Sequence, residues 1–408
     1  MTSPPRWAAG SLIASVLFVE LGSAILMIGL PLFVLDRYEL ALDGALAIGL
    51  RYLPGVVLGG WLNYALRHVN PRFLAATATV GIAVIAMAIP ATTELWQVQL
   101  LSVALGLCTT VDVPSRLTMR SWVTSPGNEQ QLNSLIVAVE RIGLTIGPLL
   151  AAGISIVAGV KGNFFVQALL AVPAILTLLL VPRPSHVEDA PQPDQASQTG
   201  PSTRLRALVS KFDPVVVAYS VTALLYMCGV GIRTIYLPIH SDGTTAALGI
   251  YTASLAVGGI VGGILATRLR GNREVLYMLG SVLEGICWLV LAAGVPLAAE
   301  MATLFVAGVF ESAATAVFLT AIQVRLRPES IGPYYGWLIP SNDAFIFLGV
   351  AIAGLVATTT DRNIALPVLI AVFSAIPVLV LWTTFVKPLF VRTQPSLSEG
   401  LGNRGGTP

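Results

Sequence analysis

Apolar stretches long enough to cross a bilayer recur along this chain about a dozen times, in two halves that echo each other. They lie near 8–34, 44–66, 73–92, 95–118, 132–157, 163–181, 214–239, 246–267, 274–296, 299–322, 335–358 and 364–386. About 20 apolar residues suffice for a helix to cross the hydrocarbon core. The first half reads GSAILMIGLP from Gly22 to Pro31, and the second reads GVGIRTIYLP from Gly229 to Pro238. LPGVVLGGWL (Leu53 to Leu62) is likewise answered by AVGGIVGGIL (Ala256 to Leu265). Only 11% of the 408 residues are charged and 55% are hydrophobic, where a soluble protein carries roughly a quarter charged residues. Alternating strand patterns are absent. The expectation is an all-α membrane protein with twelve transmembrane helices in two pseudo-symmetric six-helix bundles.

The boundaries follow from composition. Residues 1–181 form the first bundle and 214–387 the second. Between them, 182–213 is polar and punctuated by five prolines, which marks a linker. The tail 388–408 is similarly polar and is expected to be disordered. Charge orients the whole. With the N-terminus and the even-numbered connections on one side, most of the 23 basic residues fall there, among them Arg67, Arg72, Arg120, Arg204, Arg268 and Arg325. Positively charged loops stay in the cytoplasm, so both termini and the linker are placed there, in a multi-pass protein of the cell membrane. Arg6 precedes an apolar run too long for a signal peptide, so that run reads as a retained helix. Cys108, Cys228 and Cys287 lie apart in apolar spans and suggest no disulfide framework. His68, His186 and His240 fall at or beyond span ends, so no metal site is expected.

A charge at bilayer depth costs about 3 kcal/mol on insertion scales and therefore faces a bundle interior or a wet cavity. The spans carry Glu20, Asp112, Glu140, Arg141, Arg233, Glu284, Glu311 and Asp343. Asp112 and Arg116 are four apart across Pro114, which puts them on one helix face and favours a structural pair holding the inner gate over direct coupling. Glu140 and Arg141 are adjacent and point about 100° apart, so one of them is expected to reach across to the other half, with Asp343 as the counterpart of Arg141. Glu284 reads as a locally hydrogen-bonded or snorkelling acid. Gly59 and Gly60, with Gly262 and Gly263, are of the small-xxx-small kind that permits close helix contact.

These residues resemble the major facilitator superfamily over nearly the whole chain. The loop signature after that family's second helix is echoed by GGWLNYALRHVNPR and by GGILATRLRGNR, which includes Arg268. Both keep the glycines and basic residues, and neither keeps the acid, since Tyr64 and Thr267 stand in its place. GLTIGPLLAAG, with Gly143, Gly147 and Pro148, is similar to the fifth-helix motif of the family's drug:proton antiporters. VDVPSRLTMRSW and NEQQLNSL are similar to a run in its macrolide-efflux and enterobactin-exporter branch. The resemblance implies that helices 1, 4, 7 and 10 line a central cavity, and each carries one charge: Glu20, Asp112, Arg233 and Glu311.

A neutral carboxyl group is far cheaper to hold in apolar surroundings than a charged one, so an acid at that depth can take up a proton on one side and release it on the other. Glu20 is the first choice for this role and Glu311 the second. Arg116, Glu140, Arg141 and Asp343 are expected at the gate between the bundles. Neither a phosphate-binding loop nor an HExxH or GxSxG motif is present, which argues against an ATP-driven pump and against an enzyme. The leading expectation is proton-coupled efflux of a small amphipathic organic molecule, namely a drug, secondary metabolite or siderophore. A proton-coupled importer and a non-transporting membrane sensor or scaffold remain as alternatives. Expected partners are the solute, protons and the bilayer, with no cofactor and no nucleic acid. A monomer is what the resemblance implies.

Overall fold

The structure, a computed structural model, describes residues 6–38, 42–58, 69–123, 129–182, 214–242, 244–266, 268–269, 272–326, 328–358 and 361–381. No strand occurs among them. In chain order the helices are α1 (Arg6–Arg37), α2 (Leu42–Gly49, continued by a 3₁₀ turn Leu50–Tyr52 and helical to 58), α3 (Pro71–Ala88) and α4 (Leu95–Val123). The run Glu129–Leu179 follows and divides at Gly159 into α5 (129–158) and α6 (160–179). Then come α7 (Pro214–His240), α8 (Thr245–Ala266), α9 (Arg273–Ala292), α10 (Leu297–Arg325), α11 (Pro328–Ala357) and α12 (Arg362–Leu381). Ten described helical stretches are long and apolar enough to cross a membrane, with α5 and α6 counted as one and α2 not counted. Most of the linker expected at 182–213, the tail from 388, and Gly59, Gly60, Tyr64, Arg67 and Thr267 lie outside the described residues.

The α5–α6 junction differs from the loop that the pattern suggests. Gly159 has φ 69° and ψ 174°, a backbone shape open to glycine at little cost. The chain doubles back there within one residue. Asn163 consequently donates a hydrogen bond to Ser155 at 2.7 Å, although eight residues of straight helix would separate them by about 12 Å. Lys161 therefore belongs to α6 and not to a connection.

Exposure is reversed relative to a soluble domain. Val157, Val57, Leu169 and Phe73 are 88%, 70%, 67% and 62% exposed, a surface that suits hydrocarbon. Asp112, Arg116, Ser15, Asn163 and Glu284 are buried.

The duplication is visible in the packing. A Cβ on Gly106 of α4 would collide with the carbonyl of Arg51 in α2, and one on Gly308 of α10 would collide with that of Leu255 in α8. The repeated loops also end alike. The Asn70 side chain accepts from the Arg72 amide at 3.0 Å to cap α3, and that of Asn272 accepts from the Glu274 amide at 2.9 Å to cap α9. Such caps are worth about 1 kcal/mol each.

The two halves meet through glycines. Gly49 of α2 abuts Val350 and Gly354 of α11 abuts Ala45, while Gly249 of α8 abuts Ala152 and the Pro148 carbonyl of α5. All of these contacts lie toward the end bearing the α1–α2, α5–α6, α7–α8 and α11–α12 connections, so the bundles are closed together there.

Candidate functional site: charges between and within the bundles

Helix α7 turns Val230, Arg233, Thr234 and Leu237 toward one face, the i, i+3, i+4, i+7 spacing of a helical stripe. That face borders a cavity of about 220 Å³. Across it stand Glu311 and Ser312 of α10 and Thr252 of α8, with Met27 of α1 and Leu144 and Thr145 of α5 supplied by the other bundle. The Arg233 guanidinium donates to the Glu311 carboxylate at 2.8 and 3.4 Å. The pair is partly open, with 17% and 23% of the two side chains exposed. Behind it Glu284 of α9 is buried and accepts from the Tyr226 hydroxyl at 3.1 Å and from the Trp288 indole at 3.3 Å. The hydrogen-bonded alternative for Glu284 is the one seen.

In the first bundle Asp112 lines neither of the two cavities described, although its helix was expected to bring it to one, and it forms with Arg116 the structural pair that their spacing favours. It is turned into the bundle, where Arg116 donates to it at 2.8 Å, to Ser15 of α1 at 2.6 Å and to Thr79 of α3 at 2.9 Å. Ser15 in turn donates to the Ala174 carbonyl of α6 at 2.7 Å, and Thr79 contacts Asp112 at 3.3 Å. All three guanidinium nitrogens are thus used, and four helices are tied together. The reason is rotational. Thr109, Thr110, Val113 and Leu117 occupy the cavity face of α4, which leaves Asp112 and Arg116 on another.

Glu140 does not cross to the second bundle either. It accepts from Arg120 of α4 at 2.8 Å, within its own half. The Arg141 side chain lies outside the described residues. Glu20 sits over Gly143, where a Cβ would crowd its own. It is only part-buried, accepts no hydrogen bond among the described residues, and does not line the cavity of Arg233.

A second cavity, of about 330 Å³, lies between α1, α2, α4 and α11. Asp343 and Pro340 line it from α11, and Arg51 and Tyr52 line it from α2. The Asp343 carboxylate packs over Gly55, where a side chain would collide with it. Tyr52 borders both cavities, and the Arg51 guanidinium lies 4.8 Å from its ring centroid. Arg51 was missed in the sequence. The available signal was a lone cation seven residues into the apolar stretch 44–66.

The glycine motifs separate by environment. Gly143 underlies Glu20, Gly147 abuts Ala24, and the Pro148 carbonyl faces Gly249 of the opposite bundle, so GLTIGPLLAAG joins α1, α5 and α8. Gly262 packs against Val309 of α10 within its own bundle, whereas Gly263 faces open space. Arg268 lies exposed just past α8. Among the described residues no group of three or more His, Cys, Asp or Glu could hold a metal ion.

Residues 12–245, more than half of the chain, match the family model of the Major Facilitator Superfamily. The chain belongs to that superfamily. No curated protein matches it. Among solved structures it resembles the nucleoside transporter NupG, with TM-score 0.70 and 14% identity over 93% of this chain and 100% of that one. It also resembles a bacterial homologue of the human lysosomal transporter Spinster in an inward-facing, unoccupied state (TM-score 0.70, 13% identity, 94% and 99% covered). A POT family transporter in complex with a thioalcohol-conjugated peptide is similar at TM-score 0.68 and 11% identity, with 93% and 96% covered. At these identities the likeness is one of fold. The chain is a membrane-spanning transporter of this type.

Proposed function

We propose that the protein exports a small amphipathic organic molecule in exchange for protons, by alternating access between the two bundles. The observation that carries this reading is the Arg233–Glu311 pair, partly open on the wall of a mostly apolar cavity to which both bundles contribute. A guanidinium held by a carboxylate can be released when the carboxylate takes a proton, and recaptured when it loses one. In the neutral state of Glu311, Arg233 loses its charged partner and the cavity changes its preference for solute. Coupling arises because protonation of Glu311 changes the affinity of the cavity for solute, and bound solute reciprocally changes the affinity of Glu311 for the proton. Glu311 thereby takes the role that the sequence offered first to Glu20. In the first bundle Asp112 and Arg116, with Arg120 and Glu140, hold helices together.

Export is favoured over import by GLTIGPLLAAG, the antiporter-like segment, whose small residues pack α5 on α1 within the first bundle and form the α5–α8 contact across which the bundles must move. With the N-terminus in the cytoplasm, the closed end is the outer one and the structure is the inward-facing state of the cycle. The protein acts as a monomer in the cell membrane, and its solute is a drug, secondary metabolite or siderophore.

The test is the purified protein in liposomes with an acidic interior, offered a panel of cationic, neutral and anionic amphipathic dyes. At least one dye should accumulate several-fold and drain when the gradient is collapsed. Accumulation of none, or accumulation indifferent to the gradient, would remove the reading.

A further inference from the structure

The second cavity holds two opposite charges that have not met. Arg51 projects from α2 of the first bundle and Asp343 from α11 of the second, and both line the same space of about 330 Å³. Among the described residues neither forms an ion pair or a hydrogen bond. Arg51 is instead stacked on Tyr52, and Asp343 rests on the bare backbone of Gly55. The contrast with Arg233–Glu311 and Asp112–Arg116, both closed at 2.8 Å, is direct.

Charges at membrane depth are costly unless paired, so a cation and an anion held apart across a cavity call for a guest that meets both. The remaining wall suits an amphipathic one. Leu26, Ile82, Leu105 and Ile339 supply apolar surface, and Thr109 and Thr110 supply hydroxyls. The volume lies at the lower end of the range that small-molecule pockets occupy, about 300 Å³ upward.

We infer that this cavity binds a zwitterionic small molecule, its anionic group on Arg51, its ammonium group on Asp343 and its apolar body between α1 and α4. Such a guest would cross-link the bundles, because its two ends are held by different halves. Tyr52, which forms part of both cavities, places this site beside the Arg233–Glu311 pair. The inference rests on the transport reading for its purpose, but binding needs no gradient and is measured separately.

Three probes on one scaffold test it with the purified full-length protein in detergent: tryptophan with both charges, tryptamine with the cation alone, and N-acetyltryptophan with the anion alone. Calorimetry should show tryptophan binding at least tenfold more tightly than either analogue. Arg51→Gln should erase its advantage over tryptamine, and Asp343→Asn its advantage over N-acetyltryptophan, with both variants unfolding at the wild-type temperature. The inference is overturned if none of the probes binds or if one-charge probes match tryptophan. It is equally overturned if each substitution weakens all three alike, as a simple Arg51–Asp343 gate would require. Failure here would leave gradient-driven dye transport untouched, whereas failure of that transport would leave this binding in place.

Discussion

The two bundles each hold an arginine–carboxylate pair closed at 2.8 Å, and the two pairs are built for opposite purposes. Arg116 and Asp112 are only 6% and 3% exposed at the side chain, and Ser15 and Thr79 take the remaining guanidinium nitrogens. Arg233 and Glu311 are three to eight times more open and face a cavity that both halves line. A sealed and fully satisfied pair has no spare partner to exchange, so it fixes the helices around it. An open pair can trade its guanidinium for a proton or a solute. The same chemistry therefore serves as scaffold in one half and as a candidate switch in the other, and the difference lies in burial and in the count of hydrogen bonds.

Breaking the sealed pair should have the largest effect. Arg116→Ala leaves Asp112 buried without its cation, a loss of about 3–5 kcal/mol, so thermal unfolding in detergent should fall well below that of Glu311→Gln. Equal unfolding temperatures for the two variants would erase the distinction. Next in size is Gly249→Leu, which must push against Ala152 and the Pro148 carbonyl across the closed end. Overpacking of this kind costs about 1–3 kcal/mol, and gradient-driven dye accumulation should fall roughly tenfold because this closure is pried apart. On the same helix, Gly263→Ala meets nothing within 4 Å. It should change stability by no more than about 1 kcal/mol, in the stabilising direction set by helix propensity, and leave transport as it was. Comparably small is Glu20→Gln, expected to alter proton-dependent accumulation by less than about twofold if coupling resides in an open pair. A loss as large as that of Glu311→Gln would return the coupling role to the first bundle.

Much of this was legible before any coordinates. Span positions, the echo between halves and the tight glycines follow from hydropathy and local spacing. Arg233 and Glu311 were both named as cavity charges because the resemblance implies that their helices line a central cavity, and both border one. Depth alone does not tell which way a helix is rotated, so the Asp112–Arg116 pair was legible while the turn of Asp112 away from the cavity face was not. Its i, i+4 relation to Arg116 is local and visible, but Ser15 lies 101 residues from Arg116 and Ala174 lies 159 from Ser15. Only packing brings them together. The partner of Glu140 was hidden for the same reason, since Arg120 reaches it from a different helix. The single-residue reversal at Gly159 escaped notice because apolar residues continue almost to the turn on the α5 side.

The central claim is that protonation of Glu311 on the open pair is what couples solute movement to the gradient. The most direct measurement compares, in the same proteoliposomes, proton-driven accumulation of a dye with its exchange for the same dye at equal pH on both sides. For Glu311→Gln the account predicts accumulation reduced at least tenfold while exchange persists within about threefold of wild type, since only net cycling needs the proton to come and go. Accumulation retained at the wild-type level in Glu311→Gln would contradict it.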